Sequence, residues 1–189
     1  ASMMAYALAR FNFFGKQVAY RLVIFFMTMP AMSLLVPQFV LARKLVLVDQ
    51  LGGLVALNVA QNIPLAVFLL TGFLNDVPRE IEEAARIDGA SPWSIYWQII
   101  LPLCKPALAT AAIFAFLGAW DEYIWAATII NSPEKRTLPV GIATFQGAHA
   151  SNWGLVFAAS LIAVGPVILI FILLQKYFVK GMIAGAIKG

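Results

Sequence analysis

The chain of 189 residues is 62% hydrophobic and only 12% charged, with a net charge of +4. Soluble domains are nearer half apolar and a quarter charged, so this composition argues against a soluble domain and for lipid as the solvent. The positive charge is better explained by Lys and Arg at the cytoplasmic borders of membrane spans than by a surface that binds nucleic acid. A single cysteine, Cys104, excludes an internal disulfide and a Cys-based zinc cluster, and a single histidine, His149, removes most histidine–metal schemes. We therefore expect neither a metal site nor a nucleic-acid partner.

Four segments are long and apolar enough to cross a bilayer, which takes about 20 mostly apolar residues. They are residues 22–41, 51–74, 106–130 and 153–178. Residues 3–9 are interpreted as the tail of a fifth span. We predict an all-α polytopic membrane helical bundle of four full transmembrane helices and part of a fifth. Prolines inside these segments are tolerable, because neighbouring helices and hydroxyl side chains can satisfy the freed carbonyls.

The distribution of Lys and Arg predicts the orientation of the spans, because cytoplasmic loops carry the excess of these residues. The richer side holds Arg10, Lys16, Arg21, Arg79, Arg86, Lys105, Lys176, Lys180 and Lys188. The poorer side holds Arg43, Lys44, Lys135 and Arg136. Residues 75–102 and the C-terminal tail are therefore predicted to be cytoplasmic, and the loops near Asp49 and at 133–152 to lie outside.

The cytoplasmic segment 75–102 combines an acidic run with turn and cap signals. We predict two short helices joined by a turn, on the following signals: Asn75 or Asp76 as an N-cap, Pro78 in the first turn, Gly89 in a left-handed turn, Ser91 as a second N-cap and Pro92 as the first helical residue. A charge run is usually only a solvated face. Successive cap signals and the aromatic residues that follow argue for a more defined structure.

An apolar stripe follows the turn at helical spacing, formed by Trp93, Tyr96, Trp97 and Ile100. Such a stripe requires a packing partner, which is either the cytoplasmic end of this bundle or another protein. We expect the stripe to pack on the chain's own spans and the first short helix to face a partner protein.

The spacing of the 75–102 segment resembles a known motif. Glu83-Ala84-Ala85 is followed after three residues by Gly89, and after nine more by Ile99, one residue and Leu101-Pro102. This pattern, with Asp88 before the glycine, resembles the EAA loop of ATP-binding-cassette (ABC) importer permeases. We interpret 1–189 as a single permease transmembrane domain with an EAA coupling loop at 75–102.

The resemblance extends along most of the chain and favours one branch of the family. The stretches AYALARFNFFGK, SPEKRTLPVGIATFQGAHASNWG and QKYFVKGMIAGAIKG resemble the carbohydrate branch, which contains the maltose-type permeases. Permeases of that branch typically have six spans. The first span and most of the second are therefore expected to be missing from this sequence.

The resemblance implies a mechanism and a set of partners. In the family, the EAA loop is a coupling helix that docks into a cleft of a cytoplasmic ATPase dimer. Carried over by position, Glu83 would be the polar anchor, Ala84 and Ala85 would allow close packing, and Gly89 after Asp88 would make the turn. The further partners implied are a second permease subunit, expected to be a different chain, and an extracytoplasmic solute-binding protein, all at a bacterial inner membrane.

The chain itself is not expected to hydrolyse ATP. A P-loop needs the pattern G-x-x-x-x-G-K-[ST], whose backbone amides cradle phosphate. The Gly15-Lys16 pair has Arg10 at the first glycine position and Gln17 at the hydroxyl position. We therefore expect no enzyme activity and no cofactor in this chain, with ATP and magnesium bound by the partner ATPase.

Two polar breaks interrupt the spans. Asn58, Gln61 and Asn62 share one helix face, and their amides suit a hydroxyl-rich solute. They are a candidate translocation path, and hydrogen bonding between helices explains them equally well. Asp121 and Glu122 lie late in their span, near the outer interface. An external gate or a structural role is favoured for them over direct substrate contact.

Other functions remain as alternatives. An ABC importer for a non-sugar solute has the same architecture. A polytopic membrane enzyme would use Asp121, Glu122 and His149, although adjacent helical carboxylates are poorly placed for glycosidase chemistry. A secondary transporter predicts inverted repeats, which the two halves of the chain do not show convincingly.

Overall fold

The computed structural model describes residues 1–147 and 151–186, with side chains given through residue 173 and at Gln175. Within these residues the secondary structure is helical, apart from an isolated antiparallel bridge between Gln146 and Ser151. The prediction of an all-α fold is confirmed.

The helices follow one another in chain order with short connections. They are α1 (Ser2–Arg10), α2 (Lys16–Thr28), α3 (Leu35–Lys44), α4 (Leu51–Asp76), α5 (Glu80–Ile87), α6 (Pro92–Ile95), α7 (Leu101–Leu103), α8 (Lys105–Trp120), α9 (Ile124–Ile129), α10 (Leu138–Ala143) and α11 (Trp153–Ala186). Short 3₁₀ segments form at Ala31–Leu34 and Pro133–Lys135, and a π-helical segment at Tyr96–Ile100 joins α6 to α7.

Among the described residues, two helices are by themselves long and apolar enough to cross a membrane: α4 and the Trp153–Leu173 part of α11. They match the second and fourth predicted spans. Pro64 lies inside α4 and Pro166 inside α11 without ending either helix. Two bent helix pairs would raise the number of spans to four if each pair crosses as one broken span.

The first predicted span, 22–41, is wrong as a single continuous helix. The segments Lys16–Thr28 and Ala31–Lys44 meet at an angle of 101°. Pro30 lies at this break, in an extended conformation. Proline lacks an N–H donor and disfavours helical geometry in the residue before it, so α2 ends ahead of Pro30.

The third predicted span, 106–130, is also interrupted. Helix α8 ends at Trp120, and α9 begins at Ile124 after a non-helical stretch. The side chain of Glu122 accepts hydrogen bonds from the backbone amides at the start of α9, which favours a new helix start over continuation of α8. At its other end, α8 meets the Pro92–Leu103 segment at 70°.

The described residues form two compact units with separate cores. The first unit contains residues Ala1–Thr28 and Asn62–Ala115, and the second contains Met29–Gln61 and Phe116–Leu173. The main core of the first unit joins α1, the end of α4, α5 and the α6–α7 segment, through Ala5, Tyr6, Ala9, Leu70, Leu74, Ala85, Ile95, Tyr96, Ile100, Cys104 and Ala107. The core of the second unit contains Leu54, Trp125, Ala126, Ile129, Ile130 and Val140.

Candidate functional site

The acidic helix α5 begins later than its cap signals predicted. Helix α4 continues through Asp76, so Asn75 and Asp76 close α4 instead of capping α5, and that prediction is wrong. Pro78 precedes the N-cap Arg79, so its predicted place in the first turn of α5 is also wrong. It takes the residue before it out of helical geometry, which separates the two helices. Helix α5 starts after Arg79 without a side-chain cap, and its first turn is acidic, which the helix dipole favours.

The turn after α5 matches the prediction. Asp88 closes the helix, and Gly89 has φ +83°, the left-handed conformation that glycine adopts without strain. The hydroxyl of Ser91 accepts a hydrogen bond from the Ser94 amide at 3.2 Å, and Pro92 is the first residue of α6. The turn between the two helices is therefore fixed by local backbone chemistry.

Helix α5 has a buried face and an exposed face. Glu82 is only 3% exposed and Ala85 packs in the core of the first unit. Glu83, Ala84 and Asp88 are exposed, and Ile87 is 87% exposed. The two alanines of the motif therefore face different surroundings: Ala84 lies beside Glu83 on the free surface, whereas Ala85 packs inward.

The aromatic stripe divides in the same way. Tyr96 and Ile100 are buried in the core of the first unit, while Trp93 and Trp97 are more than half exposed. The expectation that the whole stripe packs inward is therefore wrong for the two tryptophans. A π-helix pairs residues five apart, which aligns Ile95 with Ile100, and both are fully buried.

A buried ion pair connects α5 to α1, and the sequence did not reveal it. Arg10 Nε donates to Glu82 Oε1 at 2.5 Å, and both side chains are 4% exposed. The hydroxyl of Tyr6 donates to Glu82 Oε2 at 2.9 Å. Arg10 also donates from Nη2 to the Val77 carbonyl at 2.8 Å. The helix dipole offers a local explanation for Glu82, and 72 positions separate it from Arg10, so no sequence pattern pairs them.

Glu83, directly after the buried Glu82, has the opposite environment. Among residues 1–147 and 151–186 its carboxylate makes no hydrogen bond or ion pair. Successive residues of a helix point about 100° apart, so Glu82 faces α1 while Glu83 faces outward. The exposed face of α5 therefore carries a carboxylate that forms no hydrogen bond or ion pair with a described side chain, and it borders a small pocket that Arg10, Arg79 and Arg86 also line.

The three polar residues of the candidate translocation path all belong to α4. Asn58, Gln61 and Asn62 lie within the continuous helix, with Gln61 exposed and both asparagines half-buried. Asn58 Nδ2 donates to the Leu54 carbonyl at 3.0 Å, one turn earlier. This bond engages the Asn58 amide group within its own helix. The role of the three residues in a translocation path stays a prediction.

Asp121 and Glu122 are separated in role by the break after α8. Glu122 accepts from the amides of Trp125 at 2.6 Å and Ala126 at 2.9 Å, so both carboxylate oxygens stabilise the start of α9. Asp121 borders a cavity of about 590 Å³ together with Trp120, Tyr123, Gln146 and Ser160. Because Glu122 is engaged by backbone amides, it is poorly suited to act as the second acid of an enzyme. His149, the third member of that alternative, lies outside the described residues.

Comparison with known proteins shows the family of this chain. The family model described as "Binding-protein-dependent transport system inner membrane component" matches residues 1–184. The chain belongs to this family. Its members are permease subunits of ABC transporters, and the predicted resemblance is thereby confirmed.

Relatives of this permease include named sugar permeases. It is 36% identical over 187 residues to the sulfoquinovosyl glycerol transport system permease protein SmoH of Agrobacterium fabrum, covering 99% of this chain and 66% of SmoH. It is 38% identical over 190 residues to the trehalose/maltose transport system permease protein MalG of Thermococcus litoralis, covering 100% of this chain and 68% of MalG. The permease chain spans about two thirds of the length of these relatives.

A solved structure shares the fold of the permease. The crystal structure of a bacterial ABC transporter involved in the import of the acidic polysaccharide alginate matches with a TM-score of 0.77 and 28% identity. The match covers 94% of this chain and 67% of the other chain. The predicted permease fold is therefore confirmed.

Within the second unit of the permease, Asp49 ties two loops together. Its Oδ1 accepts from the amides of Asn131 and Ser132 at 2.9 and 2.8 Å, and its Oδ2 accepts from the Ser132 hydroxyl at 2.5 Å. Lys135 Nζ donates to the Asp49 carbonyl at 2.7 Å and contacts Oδ2 at 3.2 Å. The hydrogen bonds from Ser132, with those from Asn131 and Lys135, hold the pKa of Asp49 well below its usual range.

This cluster predicts a pH dependence of stability. Because the folded-state pKa of Asp49 lies below its unfolded value of about 3.9, its contribution is complete above that value and is lost as the pH falls through the folded pKa. We expect the thermal unfolding midpoint of the full-length protein in detergent to fall less steeply below about pH 4 in Asp49→Asn than in the wild type. The control Asp88→Asn, at an exposed carboxylate, should keep the wild-type profile. Identical profiles for Asp49→Asn and the wild type would contradict the role of the cluster.

Proposed function

We propose that the chain is the membrane-spanning permease subunit of an ATP-driven importer that moves a sugar or oligosaccharide across the bacterial cytoplasmic membrane. Family membership supports the transport role, and the named sugar substrates of its relatives support the solute class. The observation that carries the proposal is the exposed face of α5. It presents Glu83, Ala84 and Ile87 on a helix whose opposite face is anchored in the core.

The exposed face of α5 is proposed to dock on a cytoplasmic ATPase dimer. A docking helix must move as a unit, and α5 has the required support: a glycine turn at Gly89, a capped helix after Ser91 and a buried face at Glu82 and Ala85. The unpaired Glu83 suits a cationic partner group, and Ile87 suits an apolar recess. ATP and magnesium would be bound by the ATPase, so this subunit transports without hydrolysing ATP itself.

The remaining partners and the topology complete the proposal. The permease is multi-pass, with α5 and the C-terminus in the cytoplasm, and it works with a second permease subunit and an extracytoplasmic solute-binding protein. The amides of Asn58, Gln61 and Asn62 are proposed to line the translocation path. Asp121, beside its cavity, is proposed to act at an external gate, whereas Glu122 supports α9.

Uptake into proteoliposomes tests the proposed function. The full-length protein is reconstituted with its ATPase, second permease and binding protein, and labelled sugars, oligosaccharides and amino acids are supplied outside. We expect uptake of a sugar or oligosaccharide that requires ATP on the ATPase side and stops when the ATPase is omitted. Uptake that continues without the ATPase would contradict the coupling. ATP-dependent uptake of amino acids alone would move the chain to the non-sugar alternative.

A further inference from the structure

The buried contact between α5 and α1 is the feature of the structure that the motif does not explain. Glu82 has both carboxylate oxygens engaged, one by Arg10 Nε and one by the Tyr6 hydroxyl. The guanidinium of Arg10 also reaches the Val77 carbonyl, ahead of α5, and Arg79 Nη2 donates back to the Ala9 carbonyl at 3.4 Å. The end of α1 is therefore bonded both to α5 and to the segment that leads into it.

A buried ion pair is an unexpected way to join two helices if stability alone is at stake. Removing two charges from water is unfavourable, and well-packed apolar residues often replace such a pair without loss of stability. What an ion pair adds is direction, because charge-assisted hydrogen bonds fix both the distance and the angle between their partners. An apolar contact in the same place would allow α5 to slide or turn against α1.

The neighbours of the pair make α1 part of the same body as the turn after α5. The ring of Tyr6 lies 5.4 Å from that of Tyr96, and Ser2 Oγ is 2.8 Å from the Tyr96 hydroxyl. Tyr6, Tyr96 and Ala85 share one buried core. Helix α1 is thus connected to α5 by the ion pair and to the π-helical segment by the aromatic rings.

The two faces of α5 make different contacts. Glu83 and Ile87 lie on the free face, and Glu82 lies on the face that contacts α1. A displacement applied to the free face leaves the helix through Glu82, because its carboxylate makes directional contacts with Arg10 and Tyr6 on the buried side. Force transmission between sites requires such a physically continuous path.

We propose that Arg10 and Glu82 are positioning residues that pass the displacement of α5 to α1, so that motion of the ATPase is converted into motion of the transmembrane helices. This inference rests on the proposed function and deepens it by naming where the coupling enters the helical bundle. Tyr6 holds the second oxygen of Glu82 and fixes the rotamer of the carboxylate.

The test compares import with ATP hydrolysis in the full-length complex reconstituted in proteoliposomes. The main variant is the apolar pair Arg10→Met with Glu82→Leu in a Tyr6→Phe background, which keeps the volume buried, removes the directional bonds and leaves no Tyr6 hydroxyl without its acceptor. We expect it to assemble with the ATPase and keep the wild-type unfolding midpoint, while the solute imported per ATP hydrolysed falls at least tenfold. In the charge-exchanged pair, Arg10→Glu with Glu82→Arg, we expect more solute imported per ATP hydrolysed than in either single exchange, but less than in the wild type.

The outcomes separate the inference from the function beneath it. If the wild-type complex imports and the apolar pair keeps the wild-type ratio of import to hydrolysis, the pair is only structural and the inference is overturned. If the apolar pair fails to assemble, the nearly isosteric variant Glu82→Gln is measured instead. A lowered ratio of import to hydrolysis in that variant supports the inference, and an unchanged ratio overturns it. If the wild-type complex itself shows no ATP-driven import, the proposed function fails and the inference fails with it.

Discussion

Replacing Glu83 with lysine is expected to abolish ATP-driven uptake while the permease remains folded. Glu83 is exposed and makes no hydrogen bond or ion pair within the described residues, so its replacement breaks no internal bond, although it shares a small pocket with Arg10, Arg79 and Arg86. At a docking interface, the lysine would face a cationic group of the partner that matches the carboxylate of Glu83. Placing like charges opposite each other reduces the free energy of binding by several kcal/mol. A loss of about 3 kcal/mol corresponds to roughly a hundredfold weaker assembly. Co-purification of the ATPase with the permease and uptake into proteoliposomes measure the effect.

The matched control for this charge reversal is Glu134→Lys. Glu134 is also exposed, but it lies in the Pro133–Lys135 segment, which is predicted to be on the other side of the membrane. We expect that variant to retain ATPase assembly and at least half of the wild-type uptake. Retention of uptake by Glu83→Lys would remove the support for α5 as the docking element.

Replacing Ile95 with alanine is expected to lower the free energy of unfolding by about 2–5 kcal/mol, the range for truncation of a large core aliphatic residue. Ile95 is 0% exposed and packs in the core that joins α1, α4 and α5. The truncation leaves a cavity between elements that cannot close independently. Thermal and denaturant unfolding of the full-length protein in detergent measures the loss. The graded variant Ile95→Val should lose only about 0.5–1.5 kcal/mol.

Ile87 provides a control with the same side chain in the opposite environment. Because Ile87 is almost fully exposed at the end of α5, Ile87→Ala should change the free energy of unfolding by less than about 0.5 kcal/mol. It should instead weaken assembly with the ATPase, since an exposed aliphatic side chain on the docking face contributes mainly to the interface. If Ile87→Ala and Ile95→Ala lower the free energy of unfolding by equal amounts, the division of the loop into a buried face and a docking face is wrong.

The parts of the fold that the sequence predicted correctly depend on neighbouring residues. Gly89 requires only its own φ, and Ser91 caps an amide three residues ahead, so both could be read from the sequence. Helix α4 and the Trp153–Leu173 part of α11 are long apolar runs, which are similarly local signals. The family resemblance rests on a fixed spacing within the 75–102 segment and on three further stretches, each of which is again a local signal.

The features that the sequence did not reveal depend on distant residues or on a change of helical period. The breaks at Pro30 and after Trp120 lie inside apolar stretches that read as continuous spans. The partnership of Arg10 with Glu82 joins two segments that share no pattern. The burial of Tyr96 and the exposure of Trp97 follow from tertiary packing around a π-helical turn, which a 3.6-residue period does not describe.

The π-helical turn at Tyr96–Ile100 also bears on how this segment can evolve. Single insertions and deletions are usually tolerated in short connections at the ends of membrane helices. A π-helical turn holds one residue more than an α-helical turn, so loss of one residue here closes the segment to an ordinary α-helix and leaves the flanking residues in register. Loss of a second residue has no extra residue to absorb it and would rotate everything that follows by about 100°, redirecting the entry into α8. The stretch between Gly89 and Pro102 is therefore expected to tolerate the loss of one residue at the π-helical turn but not the loss of two.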